Sequence, residues 1–390
     1  NILHETFNYG IGAQYMINKG NYITADCYAD HFSSSYCFFK DNKTYNGKAG
    51  EEQVRKRTRN HNLSIKGIFK LGNRHKLSVG TEYIVDVLKS QTDNIAKEDA
   101  YTLALFAQDE IKLLRNLQAL IGVRYIYHEN FKNHATPNVA LMYKPGKFNF
   151  RASYAAGFRT PTLSELYATD IAKKNDRLTI GNLDLKPEKN NYFSLSAEYV
   201  HERFSVSVNA FYNNIRDMID YNTIATGDKA MEQYGHKEVR QRDNIAEAKV
   251  HGINVSANAY LGAGFNLSGG YTHLNTQDVE LEQPIDKSIK NAYNINAQWA
   301  HSWKIYRLNI NLNGRINSKR FSKSYGYAPE YQLWDLNTRH SFNLKSVIIE
   351  PGFGMENLFD YMDDRPYNSN YATLTPGRSF YISLSLKFKS

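Results

Sequence analysis

The feature that most constrains the fold is an apolar–polar alternation with a period of two residues. It persists for ten or more residues at a time and returns along most of the chain. Leu308, Ile310, Leu312, Gly314 and Ile316 share one face of an extended segment, and Arg307, Asn309, Asn311, Asn313 and Arg315 share the other. Phe380, Ile382, Leu384, Leu386 and Phe388 oppose Tyr381, Ser383, Ser385 and Lys387 in the same way, and Phe204, Val206, Val208, Ala210 and Tyr212 oppose Ser205, Ser207 and Asn209. A helix would scatter this pattern around its axis, whereas a strand turns it into one apolar and one polar face.

Seventeen such segments are predicted as strands: 5–17, 21–32, 57–71, 75–88, 101–113, 117–127, 134–144, 148–159, 190–200, 204–220, 244–260, 265–274, 291–300, 305–316, 331–342, 347–358 and 379–388. A globular strand averages about five or six residues, and a tilted membrane-spanning strand needs about nine to eleven. Most of these segments have the second length. No run of 18 apolar residues occurs and the mean hydropathy is −0.58, which excludes helical spans. Strands that alternate never score as apolar runs, so a β-barrel escapes that exclusion. An apolar content of 42% with 13% aromatic residues excludes disorder and collagen. The expected fold is all-β, a transmembrane antiparallel up-and-down barrel, with residues 1–390 forming one barrel domain.

The connections sharpen this expectation. Short turns (18–20, 72–74, 114–116, 145–147, 201–203, 261–264, 301–304, 343–346) alternate without exception with longer loops (33–56, 89–100, 128–133, 160–189, 221–243, 275–290, 317–330, 359–378). A meander puts every second connection at the same end, and outer-membrane barrels have short periplasmic turns and long extracellular loops. Greek-key crossings would not sort loops this way. By parity residue 1 falls at the extracellular end. Bacterial barrels are closed and usually even-numbered, so an odd number of strands is expected before Asn1, making the chain a C-terminal portion whose secretion signal has been removed or left out. Phe106, Tyr125, Tyr127, Tyr143, Phe158, Tyr199, Tyr212, Tyr271, Tyr293, Trp299 and Trp303 lie at or near strand ends, where interfacial girdles belong. Cross-strand packing in a water-soluble barrel is the alternative for the same residues.

Charge and cysteine content add less. The formal net charge of +9 (48 basic, 39 acidic residues) is modest for this length and dispersed, apart from Arg55, Lys56, Arg57 and Arg59. That is no nucleic-acid footprint, and the cluster is expected in a solvated loop leading into a strand. Cys27 and Cys37 form no CxxC pair, so neither zinc nor a disulfide scaffold is indicated. Cys27 shares strand parity with Ile23, Ala25 and Ala29 and is expected to be a free, membrane-facing thiol, with a disulfide to Cys37 in the next loop as the alternative.

Residues 153–167 read SYAAGFRTPTLSELY, and 181–199 read GNLDLKPEKNNYFSLSAEY. This pair resembles the barrel of TonB-dependent outer-membrane receptors, in which GFRAPTLxELY is followed by GNPDLKPE and a strand. The motif positions are Phe158, Arg159, Pro161, Glu165, Leu166 and Tyr167, then Gly181, Asn182, Leu185, Pro187 and Glu188. LFAQDEIKL (105–113), LIGVRY (120–125), FYNNIRDMI (211–219) and KVHGINVSANAYL (249–261) resemble neighbouring strands of that family. Asn357, Leu358 and Phe359, with Gly377 and Arg378, resemble its C-terminal NLFDxxY and PGRxF segments. Thr160 and Leu183 depart from the usual Ala and Pro, and the chain runs on past Phe388 to Lys389 and Ser390. The resemblance is strong over 101–388 and weak before it.

The resemblance implies a barrel similar to 22 strands around a plug, in which TonB (with ExbB and ExbD) acts through an N-terminal plug and TonB box that this chain lacks. The implied activity is energised import of a scarce metal chelate: a ferric siderophore, haem or cobalamin. Implied partners are outer-membrane lipid, the small-molecule chelate and, in some relatives, a surface lipoprotein; no nucleic acid is expected. No covalent cofactor and no enzyme activity are expected, since GxSxG, HExxH and Walker A sequences are all missing. A passive porin or structural barrel without TonB coupling would share the strand pattern but has no need of the motif pair.

Ligand contacts are expected in the long loops, which a rigid scaffold presents to solvent. Candidates are Tyr167 in 160–189, then Tyr221, Tyr234, His236 and Arg240 in 221–243. Arg320, Tyr325 and Tyr327 in 317–330 join them, with Arg365 and Tyr367 in 359–378. Their basic and aromatic mixture suits a large, flat, anionic chelate. Haem iron takes His or Tyr ligands, and residues 162–180 contain no His, which leaves Tyr167 or His236 for that role and favours a siderophore or corrinoid. Asp360, Asp363 and Asp364 form an acidic group in which loop calcium competes with a plain solvated turn.

Overall fold

The structure is a computed structural model that describes residues 1–43, 46–172, 175–322, 326–363 and 375–389. All seventeen expected strands are present. In chain order the elements are β1 (Ile2–Asn18), β2 (Asn21–Cys37), β3 (Glu52–Leu71), β4 (His75–Ser90), β5 (Ile95–Leu114), β6 (Leu117–His128), β7 (Lys132–Tyr143) and β8 (Phe148–Arg159). The helix α1 (Leu163–Tyr167) and two short strands, β9 (Thr169–Ala172) and β10 (Arg177–Ile180), follow. Then come β11 (Glu188–Val200), β12 (Phe204–Thr226), α2 (Gly227–Tyr234), β13 (Glu238–Gly262), β14 (Phe265–Asp278), β15 (Asn291–Trp303) and β16 (Tyr306–Asn317). A small hairpin of β17 (Arg320–Ser322) and β18 (Gly326–Ala328) precedes β19 (Tyr331–Asn343), β20 (Val347–Glu356) and β21 (Ser379–Phe388). Nineteen of these strands belong to one sheet, and β17 and β18 form a separate two-stranded sheet, with Arg320 of β17 also bridged to Ile289.

Two compact units share the chain. One holds residues 1–141, 153–192 and 214–247. The other holds 142–152, 193–213 and 248–390. In the first, β1 to β6 form a continuous antiparallel meander, with Cys27 of β2 opposite Leu63 of β3 and Leu63 opposite Tyr83 of β4. In the second, β14, β15, β16, β19, β20 and β21 pair consecutively and antiparallel.

The two faces of each meander differ as the alternation requires. One carries rows of exposed apolar side chains, among them Ile11, Ile382 and Phe388 at 77%, 82% and 81% exposure. Such rows would be an aggregation hazard in water, and they are what a strand needs against hydrocarbon. The opposite face is stitched by polar groups. In the first unit Asn62 donates to Glu82 (2.8 Å), Glu82 also meets Arg124, and Asn60 donates to Asp86 (2.8 Å). In the second, Asn296 donates to Asn311 and Asn313 (both 2.6 Å) beside a cavity of about 430 Å³. The tight turns at the other strand ends use left-handed backbone. Gly264 has φ +86°, and a side chain there would begin 1.9 Å from the Ala300 carbonyl oxygen.

Three expectations need correction. The strands outrun their predicted ends on the loop side, because polar segments continue the hydrogen-bonded ladder where hydrophobic alternation has ceased. The connections at 91–94 and 129–131 are therefore as short as the turns, and loop length does not alternate without exception. The long loops 160–189, 221–243 and 317–330 also contain their own helices and strands. Finally, Arg55, Lys56, Arg57 and Arg59 lie within β3, because β2 and β4 both pair with that stretch. Cys27 and Cys37 are free thiols, and Cys27 is exposed among the apolar side chains of β2.

Candidate functional site

The loop between β8 and β11 is built around α1. Thr162 caps it: the Glu165 amide donates to Thr162 Oγ1 (3.2 Å), and the Thr162 amide donates to Glu165 Oε2 (2.8 Å). This reciprocal pair is the capping box that a Thr-x-x-Glu sequence encodes. Leu163 packs with Leu88, Ile95 and Ala100, and Leu166 packs with Leu185 and Ile219. Pro187 is buried as well.

Arg159, at the end of β8, ties the two motif halves together. Its Nη1 donates to Glu165 Oε2 (2.9 Å), while Nε and Nη2 donate to the two carboxylate oxygens of Glu188 (2.8 and 2.5 Å). Glu188 Oε1 also accepts from the Ile219 amide (2.9 Å). The Asn182 amide donates to the Glu165 carbonyl (3.0 Å) and the Gly181 amide to the Ala168 carbonyl (2.7 Å). A Cβ at Gly181 would stand 2.5 Å from the Leu166 carbonyl oxygen, so this crossing demands glycine. Phe158 stacks on His134 with centroids 4.4 Å apart. Each of these contacts shapes the loop and leaves little of the motif free to touch a ligand.

Burial pushes the Glu165 carboxyl up, but the Arg159 guanidinium and the Thr162 amide outweigh it and hold the group below its ordinary value. A depressed carboxyl stabilises the folded loop above its unfolded pKa, and that contribution is lost as pH falls through the folded value. Proteolysis of 160–189 is therefore expected to be independent of pH near neutrality and to accelerate below about pH 4.5. The Glu165→Gln variant should lack that acid-dependent acceleration.

The motif loop is also stitched to the next long loop. β9 and β10 form an antiparallel hairpin, and β10 runs parallel to the start of β13, with Arg177 opposite Glu238 and Thr179 opposite Arg240. Beside β9 opens a cavity of about 670 Å³ lined by Tyr36, Gln53, Arg55, Asp93 and Asp170, among others. The Arg55 guanidinium lies 4.3 Å over the Tyr36 ring. The Nε atoms of Arg55 and Arg177 are buried without a hydrogen-bond partner among the described residues, and each is a directional donor held ready. Burial and the neighbouring Asp93 raise the Asp170 carboxyl above its ordinary value, against the opposing charges of Arg177 and Arg55. In the upper part of β12 and β13, Arg242 lies 3.5 Å over the Tyr221 ring.

Among the sequence-predicted residues of the first unit, Tyr167 packs against both leucine clusters, and burial raises its hydroxyl. Tyr221 is the platform for Arg242, whose Nη2 donates to another point of the same side chain, the hydroxyl (2.6 Å). His236 meets Asp176 (2.9 Å), and Arg240 Nε donates to Glu238 (2.5 Å). Tyr234 closes α2 and is half-buried. In the second unit, Arg320 has Nε and one terminal nitrogen buried without a partner among the described residues. Tyr327 is exposed and meets Phe321 edge-on at 5.4 Å. Tyr325, Arg365, Tyr367 and Asp364 lie outside the described residues.

The C-terminal motif is a turn lock. Asn357 is buried at φ +52°, donates through Nδ2 to the carbonyls of Tyr361 (2.8 Å) and Pro376 (3.2 Å), and accepts from the Tyr361 amide (2.8 Å). The Leu358 amide donates to the Trp334 carbonyl (2.6 Å), and Phe359 meets the Trp334 ring edge-on. Asp360 accepts from the Arg378 amide (2.7 Å) next to Gly377, a structural use of one carboxylate of the acidic group for which a solvated turn and loop calcium were the two readings. Among the described residues no group of three or more His, Cys, Asp or Glu is arranged to hold a metal ion.

Sequence reasoning missed Tyr36, Arg55, Asp93, Asp170, Arg177 and Arg242. Arg55 alone carried a signal, as a member of the basic cluster in 55–59.

Long antiparallel strands with an apolar outer face, a polar inner face and structured loops at one end define the class: an outer-membrane β-barrel. A family model described as "TonB dependent receptor-like, beta-barrel" matches residues 3–358, and the chain belongs to that family. Among solved structures it is similar to the ferric enterobactin receptor PfeA from Pseudomonas aeruginosa, with 18% identity, a TM-score of 0.80, and coverage of 100% of this chain and 62% of that one. It is also similar to the siderophore receptor PirA from Acinetobacter baumannii (16% identity, TM-score 0.75, coverage 99% and 62%). The FrpB iron transporter from Neisseria meningitidis shares the fold too (13% identity, TM-score 0.71, coverage 98% and 62%). The chain thus spans about three fifths of the length of these proteins.

Proposed function

We propose that this barrel serves an outer-membrane receptor that imports an anionic iron chelate, a ferric siderophore, with energy delivered through TonB and its plug. The observation that carries this reading is the pairing of guanidinium and aromatic ring at two places near the loop ends of strands, Arg55 of β3 on Tyr36 of β2 and Arg242 of β13 on Tyr221 of β12. A flat, negatively charged chelate is met by such pairs through charge, stacking and directional N–H donors at once. Membership of the receptor-barrel family and likeness in fold to three iron-uptake proteins support the same substrate class. Haem fits less well, because His236 is engaged by Asp176 and Tyr167 is packed into the loop core.

The test is equilibrium binding of a ferric catecholate to cells that produce the protein, with haem and cobalamin as competitors. Losing one charge-assisted contact costs ~1.5–3 kcal/mol, so Arg55→Ala and Arg242→Ala should each weaken binding roughly tenfold or more. Displacement by haem or cobalamin alone, or binding indifferent to both substitutions, overturns the substrate assignment. Uptake that persists after the proton gradient is collapsed overturns the energised reading and leaves a passive pore.

A further inference from the structure

The corrected position of the basic cluster in β3 exposes a second surface. Strand parity puts Arg57 and Arg59 on the same face as His61, Leu63 and Ile65, which is the apolar, lipid-facing side, and puts Lys56 on the other. Arg57 stands directly opposite Lys89 of β4, and Arg59 directly opposite His31 of β2. Side chains so placed have Cβ atoms about 5 Å apart, and like charges directly opposite destabilise a sheet. Arg57, Arg59 and Lys89 are all exposed, and no carboxylate pairs with them among the described residues. Nearby acids are Glu5, which faces Ser33 of β2, and Asp99, which is held by Lys97 at 3.0 Å.

The height of the cluster identifies what surrounds it. Tyr83, Tyr101 and Tyr127 form a chain of rings on this face with centroids 6.0 and 6.1 Å apart, and His61 and His31 continue it towards Tyr9. Aromatic rings in such rows mark the boundary between hydrocarbon and headgroups. In register, Tyr101 is level with Val85 and His61, so Arg59 stands two residues beyond the ring row and Arg57 four residues beyond it. At about 3.3 Å per residue, that is roughly 7 and 13 Å further along the strand. The cluster therefore sits in the headgroup layer of the outer leaflet, on the side of the loops.

We propose that Arg57, Arg59 and Lys89, with His31 beside them, form a docking surface for the phosphate groups of an anionic lipid of the outer leaflet. The bound phosphates neutralise cations that the sheet would otherwise hold in mutual repulsion, and they fix the height of this wall in the membrane. A basic side chain near an anionic membrane surface is drawn to its phosphates, and three on one patch act on the same lipid.

The experiment is native mass spectrometry, with phosphorus analysis, of the protein extracted from outer membranes in mild detergent. The wild-type protein should carry a phosphorylated lipid. The triple variant Arg57→Gln, Arg59→Gln, Lys89→Gln should retain at least tenfold less, while Lys56→Gln, on the inner face, should retain the wild-type amount. Arg57→Lys with Arg59→Lys should restore most of the binding and guards against a folding defect in the triple variant. Equal lipid retention by the triple variant, equal loss in Lys56→Gln, or bound lipid without phosphate overturns the proposal. Chelate binding should be unaffected by the triple variant, so a failed lipid result leaves the transport reading to its own test.

Discussion

Replacing Arg159 by Ala is expected to open the 160–189 loop while leaving the membrane strands folded. The guanidinium stands between two carboxylates whose side chains are only 14% and 16% exposed, and it is the cation that both of them meet. Its removal leaves two partly buried like charges facing each other. Breaking a buried ion pair costs about 3–5 kcal/mol and an exposed one under about 1. Because Arg159 is itself 43% exposed, a cost of about 2 kcal/mol is expected. That corresponds to roughly 30-fold more frequent opening. Hydrogen exchange at the amides of Gly181, Asn182 and Ile219 reads this directly, since each is bonded within the motif. Arg159→Lys keeps the charge and loses the fork that grips Glu188, so it should fall between the two. Wild-type exchange rates in Arg159→Ala would show that the motif is held by its leucine clusters alone.

Asn357→Ala is expected to be the more damaging change to the second unit. It removes three hydrogen bonds that close the turn after β20, leaving two partly buried carbonyls and an amide unpaired at ~1–3 kcal/mol. It also puts Ala at φ +52°, a conformation that costs a non-glycine residue ~1–2 kcal/mol. A total of about 3 kcal/mol should appear as a lower urea midpoint in lipid vesicles. Asn357→Gly relieves the backbone cost and none of the hydrogen-bond loss, so it should recover about a third of the difference. If Gly and Ala destabilise equally, the left-handed backbone contributes nothing.

The membrane strands were legible because hydrocarbon on one side and a polar interior on the other impose alternation on every residue of the span. Leu308 to Ile316 needed no other information. Beyond the bilayer that constraint ends. The stretch from Glu52 to Lys56 has a single apolar residue, Val54, and so shows no alternation and reads as a loop, although β2 pairs with it. The four-residue strands β9 and β10 are too short to show any period, and the second partner of β10, the start of β13, lies some sixty residues further on. The candidate site shares that difficulty. Arg159 and Glu188 were recognisable as motif positions, but their contact spans 29 residues of chain, and that of Lys186 with Asn244 spans 58. The charge on Arg55 was visible, whereas the ring beneath it comes from another strand. Arg57 and Arg59 could have been assigned from sequence, because parity with Leu63 already puts them on the outer face.

The length of β12 and β13 has a consequence for encounter. At about 3.3 Å per residue, the 25 residues of β13 run for roughly 80 Å, about twice what a tilted crossing of a 25 Å apolar band consumes. The surplus stands clear of the lipid as a stiff, hydrogen-bonded mast carrying Tyr221 and Arg242 near its top. An incoming solute is therefore met by these two side chains well outside the apolar band, before it reaches the barrel wall.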